Sequence, residues 1–293
     1  AVTGPCDPRL YAEASRFIRR LSERTGIFLD KQGFVGPGNS APLLIKVQRP
    51  AKLALHEDES YELKVGSDRV VISALTDIGA IRGLETLLQL LSADSTGYYF
   101  QGAVIRDSPR FAWRGLLLDV ALHFMPVDEI KRTLDGRAAV KMNVLHLHLC
   151  NDQGFRVESK VFPRLHQLAS DGMYYTQQDI RTIIQYAGQR GIRIVPEFVV
   201  PAHTTAILTA YPELASVQRN YQLQRYFAVF DPVMDPTNEK VYVFLDKLFT
   251  EMAALFPDAY FHIGGDENTG KDWERTPHIR AFMKDHGMKH FMD

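Results

Sequence analysis

The sequence predicts an α/β protein, a small α+β unit followed by repeated βα units. Three observations carry this expectation. Helix and strand patterns mix over the first hundred residues around one hairpin signature. From about residue 110 the rhythm becomes strand, loop, helix, repeated. Ionisable residues then follow each strand of the second part. Strands alternating with helices imply a parallel sheet, either a doubly wound layer or a (β/α) barrel.

In chain order, Asp7-Pro8 opens a helix with Leu10, Ala14, Phe17, Ile18 and Leu21 along one face. Beyond the loop 33–40 come strand-like runs at Leu43–Val47, Ser60–Val65 and Arg69–Ala74, the last two closed as a hairpin by Gly66-Ser67-Asp68. Asp77 is expected to cap a helix carrying Ile81, Leu84, Leu87, Leu88 and Leu91. Residues 36–41 superficially match a dinucleotide loop, but they hold a proline and precede a strand, so that reading is rejected. The polar stretch Ile105–Arg110 marks a boundary, giving a non-catalytic domain 1–107 and a second domain 108–293.

In the second domain the strands are expected at Gly115–Val120, Asn143–Cys150, Ile192–Val200 and Ala259–Ile263. The helices are expected at Val127–Lys141 after Pro126, Gln177–Gln189 under a Thr176 cap, Thr237–Leu255 and Thr276–Lys284. The connections 151–175 and 201–236 are long, as at the strand ends where α/β enzymes build their sites.

Composition excludes several functions. With 45% apolar residues the chain can bury a core, which excludes disorder, and charge interrupts every apolar run before the ~20 residues a membrane span needs. The 34 basic and 35 acidic side chains give net −1, which argues against nucleic acid or an anionic membrane as partner. Cys6 and Cys150 show neither a zinc spacing nor a disulfide framework. The opening AVTGPCDPRL lacks an initiator Met, which fits a processed secreted or periplasmic protein as well as an arbitrary boundary.

The strand ends hold the chemistry. Gly264-Gly265 lets the backbone turn off its strand and present Asp266 and Glu267 side by side. Two adjacent carboxyls suit acid/base work, since repulsion keeps one protonated beside a charged neighbour; the plainer reading is a turn and a helix cap. Asp119 and His123, then Asn151 and Asp152, then His203 follow the preceding strands. His146 and His148 share one side of their strand in a metal-type H-x-H arrangement, but spacing places no further ligands, so no metal is expected. No cofactor is expected. Tyr211, Tyr221, Tyr226, Phe227 and Phe230 crowd the third connection, as a sugar-stacking wall or simply as loop packing.

The ordered motifs WRGLLLDV with HF, NVLHLHL with NDQGFR, VPEF with PAHT, and HIGGDEN resemble the family-20 glycoside hydrolases, the β-N-acetylhexosaminidases, from about Arg110 onward. The first hundred residues, ending in DIGAIRGLETLLQLL, resemble the small domain that precedes that family's barrel. The resemblance implies a TIM-type (β/α)8 barrel, here present for about four βα units. It implies exo-cleavage of terminal β-linked GlcNAc or GalNAc with retention, the substrate's own acetamido group acting as nucleophile. Glu267 then matches the general acid, Asp266 the residue that orients the acetamido group, and His203 the histidine behind the acid; His203 and Asn151 belong to the substrate-binding set.

Departures stand at Leu122 for a sugar-binding arginine, Asn151 and Val199 for acidic residues, and Ala202 for a glycine. They predict a His203 without its usual acidic partners. A barrel of four units also exposes sheet edges, so a homodimer or a complementing chain is expected to complete it. Two other readings stand beside the hydrolase: a catalytically impaired homologue that binds glycans or a protein, and a metal-dependent amidohydrolase built on His146 and His148.

Overall fold

The computed structural model describes residues 1–5, 8–29 and 41–291. The loop expected at 33–40, Cys6 and Asp7 lie outside the described residues. Two compact units emerge. One comprises Ala1–Gly115 with Lys131–Val144 and Gln185–Arg193, the other Leu116–Ile130, Leu145–Ile184 and Ile194–Asp293.

The first unit runs β1 (Val2–Thr3), α1 (Pro8–Thr25), β2 (Leu43–Arg49), β3 (Tyr61–Val65), β4 (Val70–Thr76), α2 (Asp77–Gln89), β5 (Leu91–Asp94), β6 (Gly97–Phe100) and β7 (Ala103–Asp107). Five strands form a sheet ordered β1-β2-β4-β3-β7, and β5 and β6 make a separate ribbon. The expected hairpin is present: β3 and β4 are antiparallel, with Val65 opposite Val70. Leu10, Ala14 and Phe17 of α1, spaced for one helix face, are buried. Leu10 and Phe17 share a core with Ile45, Leu63 and Ile72 of the sheet and with Leu84 and Leu88 of α2. Each such side chain contributes roughly 1.5–3 kcal/mol on burial.

One expectation is corrected here. The N-cap of α2 is Thr76, whose hydroxyl accepts from Gly79 N at 3.0 Å. Asp77 is instead drawn to Ala51 N (2.5 Å) and the Arg9 guanidinium (2.8 Å). The stretch read as a boundary begins inside β7, which completes the sheet by pairing with β3. The β5–β6 ribbon was not foreseen, because its residues alternate weakly and most are exposed.

A buried ion group ties this unit together. Glu59 Oε2 accepts from Arg82 Nε (2.7 Å) and Arg114 Nη2 (2.6 Å), and Oε1 accepts from Asn143 Nδ2 (3.0 Å). Arg82 also donates to Gly191 O at 3.0 Å. Burial pushes the Glu59 carboxyl up, but Arg82 and Arg114 outweigh it and hold the group below its ordinary value.

The βα part runs β8 (Gly115–Asp119), α3 (Val127–Ala139), β9 (Val144–Asn151), β10 (Gly154–Phe155), α4 (Arg164–Leu168), α5 (Gln177–Gly188), β11 (Arg193–Phe198), α6 (Thr205–Ala210), α7 (Glu239–Leu255), α8 (Lys271–Arg275) and α9 (Pro277–Asp285). The sheet order is β10-β9-β11, with β8 also on β9. Every residue of β11 is buried, the pattern of a strand covered on both faces. Thr176 and Asp179 cap α5 reciprocally, Asp179 N donating to Thr176 Oγ1 (3.0 Å) and Thr176 N to Asp179 Oδ2 (2.9 Å).

The segment 259–263 is extended but is not a full strand. It makes a parallel bridge, His262 opposite Glu197, and Val200 N donates to Ile263 O at 3.0 Å. Pairing on one side only, cut short by the glycine turn, explains this. Asn238 caps α7, accepting from Lys240 N at 3.0 Å, so the helix begins two residues after the expected Thr237. Both long connections hold structure of their own: β10 and α4 in the first, α6 and a 3-10 turn at Pro212–Leu214 in the second. Among the described residues no helix is long and apolar enough to cross a membrane.

Candidate active site

Residues from four consecutive strand ends meet at one cavity of about 220 Å³, lined by Asn151, His203, Asp266 and Glu267 together with Leu122 and Phe227. Asp119 also reaches it, while its Oδ1 accepts from Ala121 N (2.8 Å) and Leu122 N (2.9 Å), which fixes the turn after β8. His123 is not among the lining residues. Asn151, His203, Asp266 and Glu267 thus line one cavity, and His123 does not.

Backbone geometry delivers them. Gly264 and Gly265 have φ of 71° and 105°, and a Cβ on Gly264 would lie 2.2 Å from Val199 Cγ2. Glycine is required there by conformation and by contact alike. His203 (φ 53°) and Glu267 (φ 51°) occupy the left-handed region as non-glycine residues. Such positions cost of order 1–3 kcal/mol, and they cluster where function sets the geometry.

His203 carries the electrostatics. Its Nε2 lies 3.0 Å from Glu267 Oε2, and its Nδ1 lies 3.0 Å from Asp152 Oδ2. Asp152 is wholly buried, and its other oxygen accepts from Thr205 N at 3.0 Å. The expectation that His203 lacks an acidic partner is thus corrected. Asn151 and Asp152 are neighbours pointing to opposite sides, so Asn151 lines the cavity while Asp152 passes behind it. The Asp152 carboxylate raises the His203 pKa above its ordinary value against the opposing effect of burial, and Asp266 and Glu267 add to the rise. Asn151 turns its amide to His148 Nε2 at 2.9 Å and its carbonyl to Asp152 N at 2.7 Å.

Spacing left His146 and His148 without further partners; the fold supplies two. Glu197 of β11 brings Oε2 within 2.8 Å of His146 Nε2 and 2.7 Å of His148 Nδ1, and Oε1 within 3.1 Å of His262 Nδ1. Burial pushes the Glu197 carboxyl up, but the two strand histidines outweigh it and hold it well below the usual range. His146, Glu197 and His262 are close enough to hold a metal ion, as are His203, Asp266 and Glu267. In the first group the carboxylate already has imidazoles facing both oxygens. In the second, Asp152 has already claimed the far side of the ring. Sequence reasoning missed Glu197 and His262, though both sit inside quoted motifs, because only pairing of β11 with 259–263 sets them face to face.

A βα sheet whose strand ends gather a histidine and a carboxyl pair at one cavity has the arrangement of the α/β enzymes that build their sites at the carboxyl ends of the strands. A profile described as "Glycosyl hydrolase family 20, catalytic domain" matches residues 111–293, and one described as "beta-acetyl hexosaminidase like" matches 37–90. The chain belongs to glycosyl hydrolase family 20, and its catalytic domain is of the TIM-barrel type.

Similar proteins bear this out. A chitobiase from Flavobacterium johnsoniae of known structure is 52% identical with a TM-score of 0.94, over 99% of this chain and 44% of that one. The N-acetyl-β-hexosaminidase of Streptomyces plicatus is 33% identical with a TM-score of 0.78, over 97% of this chain and 57% of that one. Beta-hexosaminidase subunit beta of Mus musculus is 41% identical over 240 residues, 80% of this chain and 44% of that protein. The chain thus spans less than half the length of the curated relatives it matches.

Proposed function

We propose that the chain carries the acid/base half of a β-N-acetylhexosaminidase site, acting on glycans that end in β-linked N-acetylhexosamine. The observation that carries this reading is the line Asp152–His203–Glu267, with Asp266 at the same cavity. Glu267 protonates the glycosidic oxygen as that bond breaks. The carbonyl oxygen of the substrate's 2-acetamido group attacks the anomeric carbon, so no enzyme nucleophile is needed. Asp266 accepts from the acetamido N–H and stabilises the positive charge developing there. Glu267, now a carboxylate, takes a proton from the water that opens the cyclic intermediate, and configuration is retained. His203, whose pKa Asp152 raises, faces that carboxylate across 3.0 Å and stabilises it between the two steps.

In this reading residues 1–107 are a non-catalytic domain and 108–293 the first four βα units of a barrel. The two family matches fall on either side of that division. Leu116 and Leu117 of β8 and Ile263 of the extended segment 259–263 are about half exposed. That exposure supports completion of the barrel by further βα units, from a longer chain, a second copy or a complementing chain. The test is release of nitrophenol from an aryl N-acetyl-β-glucosaminide by the chain. Glu267→Gln should lower kcat about 10²–10⁴-fold.

A second reading, a glycan-binding homologue without turnover, is favoured by one observation. Leu122 lines the cavity where the family resemblance calls for an arginine. Binding of the sugar with no nitrophenol release would establish it.

A further inference from the structure

We propose that His146, Glu197 and His262 form a binding site for a divalent transition metal of the zinc class. The site stands apart from the hexosaminidase reading, since no step of that reaction uses these three side chains. They come from three neighbouring extended segments, His146 from β9, Glu197 from β11 and His262 from 259–263. Their donor atoms all lie within 4.8 Å of one another. Imidazoles face both oxygens of Glu197, yet the contacts are not satisfied hydrogen bonds. His146 Nε2 stands 2.8 Å from Glu197 Oε2, but among the described residues both atoms are buried without a hydrogen-bond partner. At that separation only direction is at fault: the ring N–H does not aim at the oxygen. His148 Nδ1, 2.7 Å away, leaves the same oxygen unsatisfied. His262 Nδ1 accepts from Gly264 N at 3.0 Å, so it offers a lone pair, not a proton, to Glu197 Oε1 3.1 Å away. Glu197 is 4% exposed, and an unsatisfied oxygen on a buried carboxylate calls for a cation or a directed donor.

The donor set selects the metal. Two imidazoles and one carboxylate suit zinc, nickel or cobalt, whereas calcium and magnesium take shells of oxygen. Donors that share a tetrahedral zinc stand about 3.4 Å apart. The contacts at 2.8 and 3.1 Å therefore have only a few tenths of an ångström to open. Asn151 Nδ2 donates to His148 Nε2 at 2.9 Å, which places the His148 proton on Nδ1, beside the carboxylate. His148 thus supports the carboxylate and is not itself a ligand. Three protein ligands leave a fourth position for water. A cation here fastens the segment 259–263, bridged to β11 at His262 and Glu197, to β9 as well.

The experiment is calorimetric titration of the chelator-treated chain with Zn²⁺, and with Mg²⁺ as control. One Zn²⁺ should bind per chain with a Kd of about 1 μM or tighter, and Mg²⁺ should not compete. Glu197→Gln and His262→Ala should each weaken zinc about 100-fold, and Zn²⁺ should then no longer raise the urea midpoint. His203, Asp266 and Glu267 are also close enough to hold a metal, so Glu267→Gln must leave the zinc affinity unchanged. Binding lost in Glu267→Gln but kept in Glu197→Gln, equal binding of Mg²⁺, or no zinc bound at all overturns the site. Where a substitution unfolds the chain, the unaltered protein decides: Zn²⁺ must shield the half-exposed His262 from diethyl pyrocarbonate. Equal modification with and without Zn²⁺ overturns the site.

Discussion

His203 Nδ1 faces Asp152 Oδ2 across 3.0 Å, on the side of the ring away from Glu267. This contact sets the charge behind the acid. Because Asp152 raises the His203 pKa, the imidazole should titrate above its ordinary 6.5, with an NMR midpoint that drops in Asp152→Asn. A raised pKa also fixes the sign of the stability effect. The contribution is complete below 6.5 and is lost as pH climbs through the raised value. The urea midpoint should therefore fall with rising pH over that range, and Asp152→Asn should flatten the fall.

Gly264 sits under a double constraint, φ of 71° and a Cβ position 2.2 Å from Val199 Cγ2. Gly264→Ala should cost about 2 kcal/mol or more in chemical denaturation. Val199→Ala should not rescue it, since Val199 Cβ and Cα would still lie 2.8 and 2.9 Å away. Full rescue would show that the backbone turn tolerates a side chain.

Glu59 holds Arg82 and Arg114 in the first unit, and Arg82 is only 2% exposed. Glu59→Gln leaves that guanidinium without its counter-charge, a change that costs about 3–5 kcal/mol at a buried pair. The Glu59 pKa is held low, so its contribution is present above the unfolded carboxyl value and disappears as pH falls through the folded one. Denaturation of Glu59→Gln should thus depend less on pH on the acid side than that of the unaltered chain.

Leu122 lines the cavity where an arginine would meet sugar hydroxyls. Leu122→Arg should tighten binding of N-acetylglucosamine, since a charged hydrogen bond contributes about 1.5–3 kcal/mol. Isothermal titration measures this directly, and an unchanged affinity would place Leu122 outside the sugar's reach.

The αβ rhythm, the hairpin at 66–68, the capping of α5 and the three strand ends that carry Asn151, His203, Asp266 and Glu267 were legible in the sequence. Each rests on local rules: side-chain periodicity, turn residues, and the fact that a strand's last residues stand at the sheet's rim. Motif order was sufficient for the family. Three things depended on tertiary structure: that Asp152 rather than Asn151 turns to His203, that Glu197 gathers three histidines, and that Phe227 lines the cavity while Tyr211 and Tyr221 pack elsewhere. These are contacts across many residues of chain, set by strand pairing and loop anchoring. A carboxylate's partner is decided by which face it turns to and what the fold places there, and spacing along the chain does not encode either.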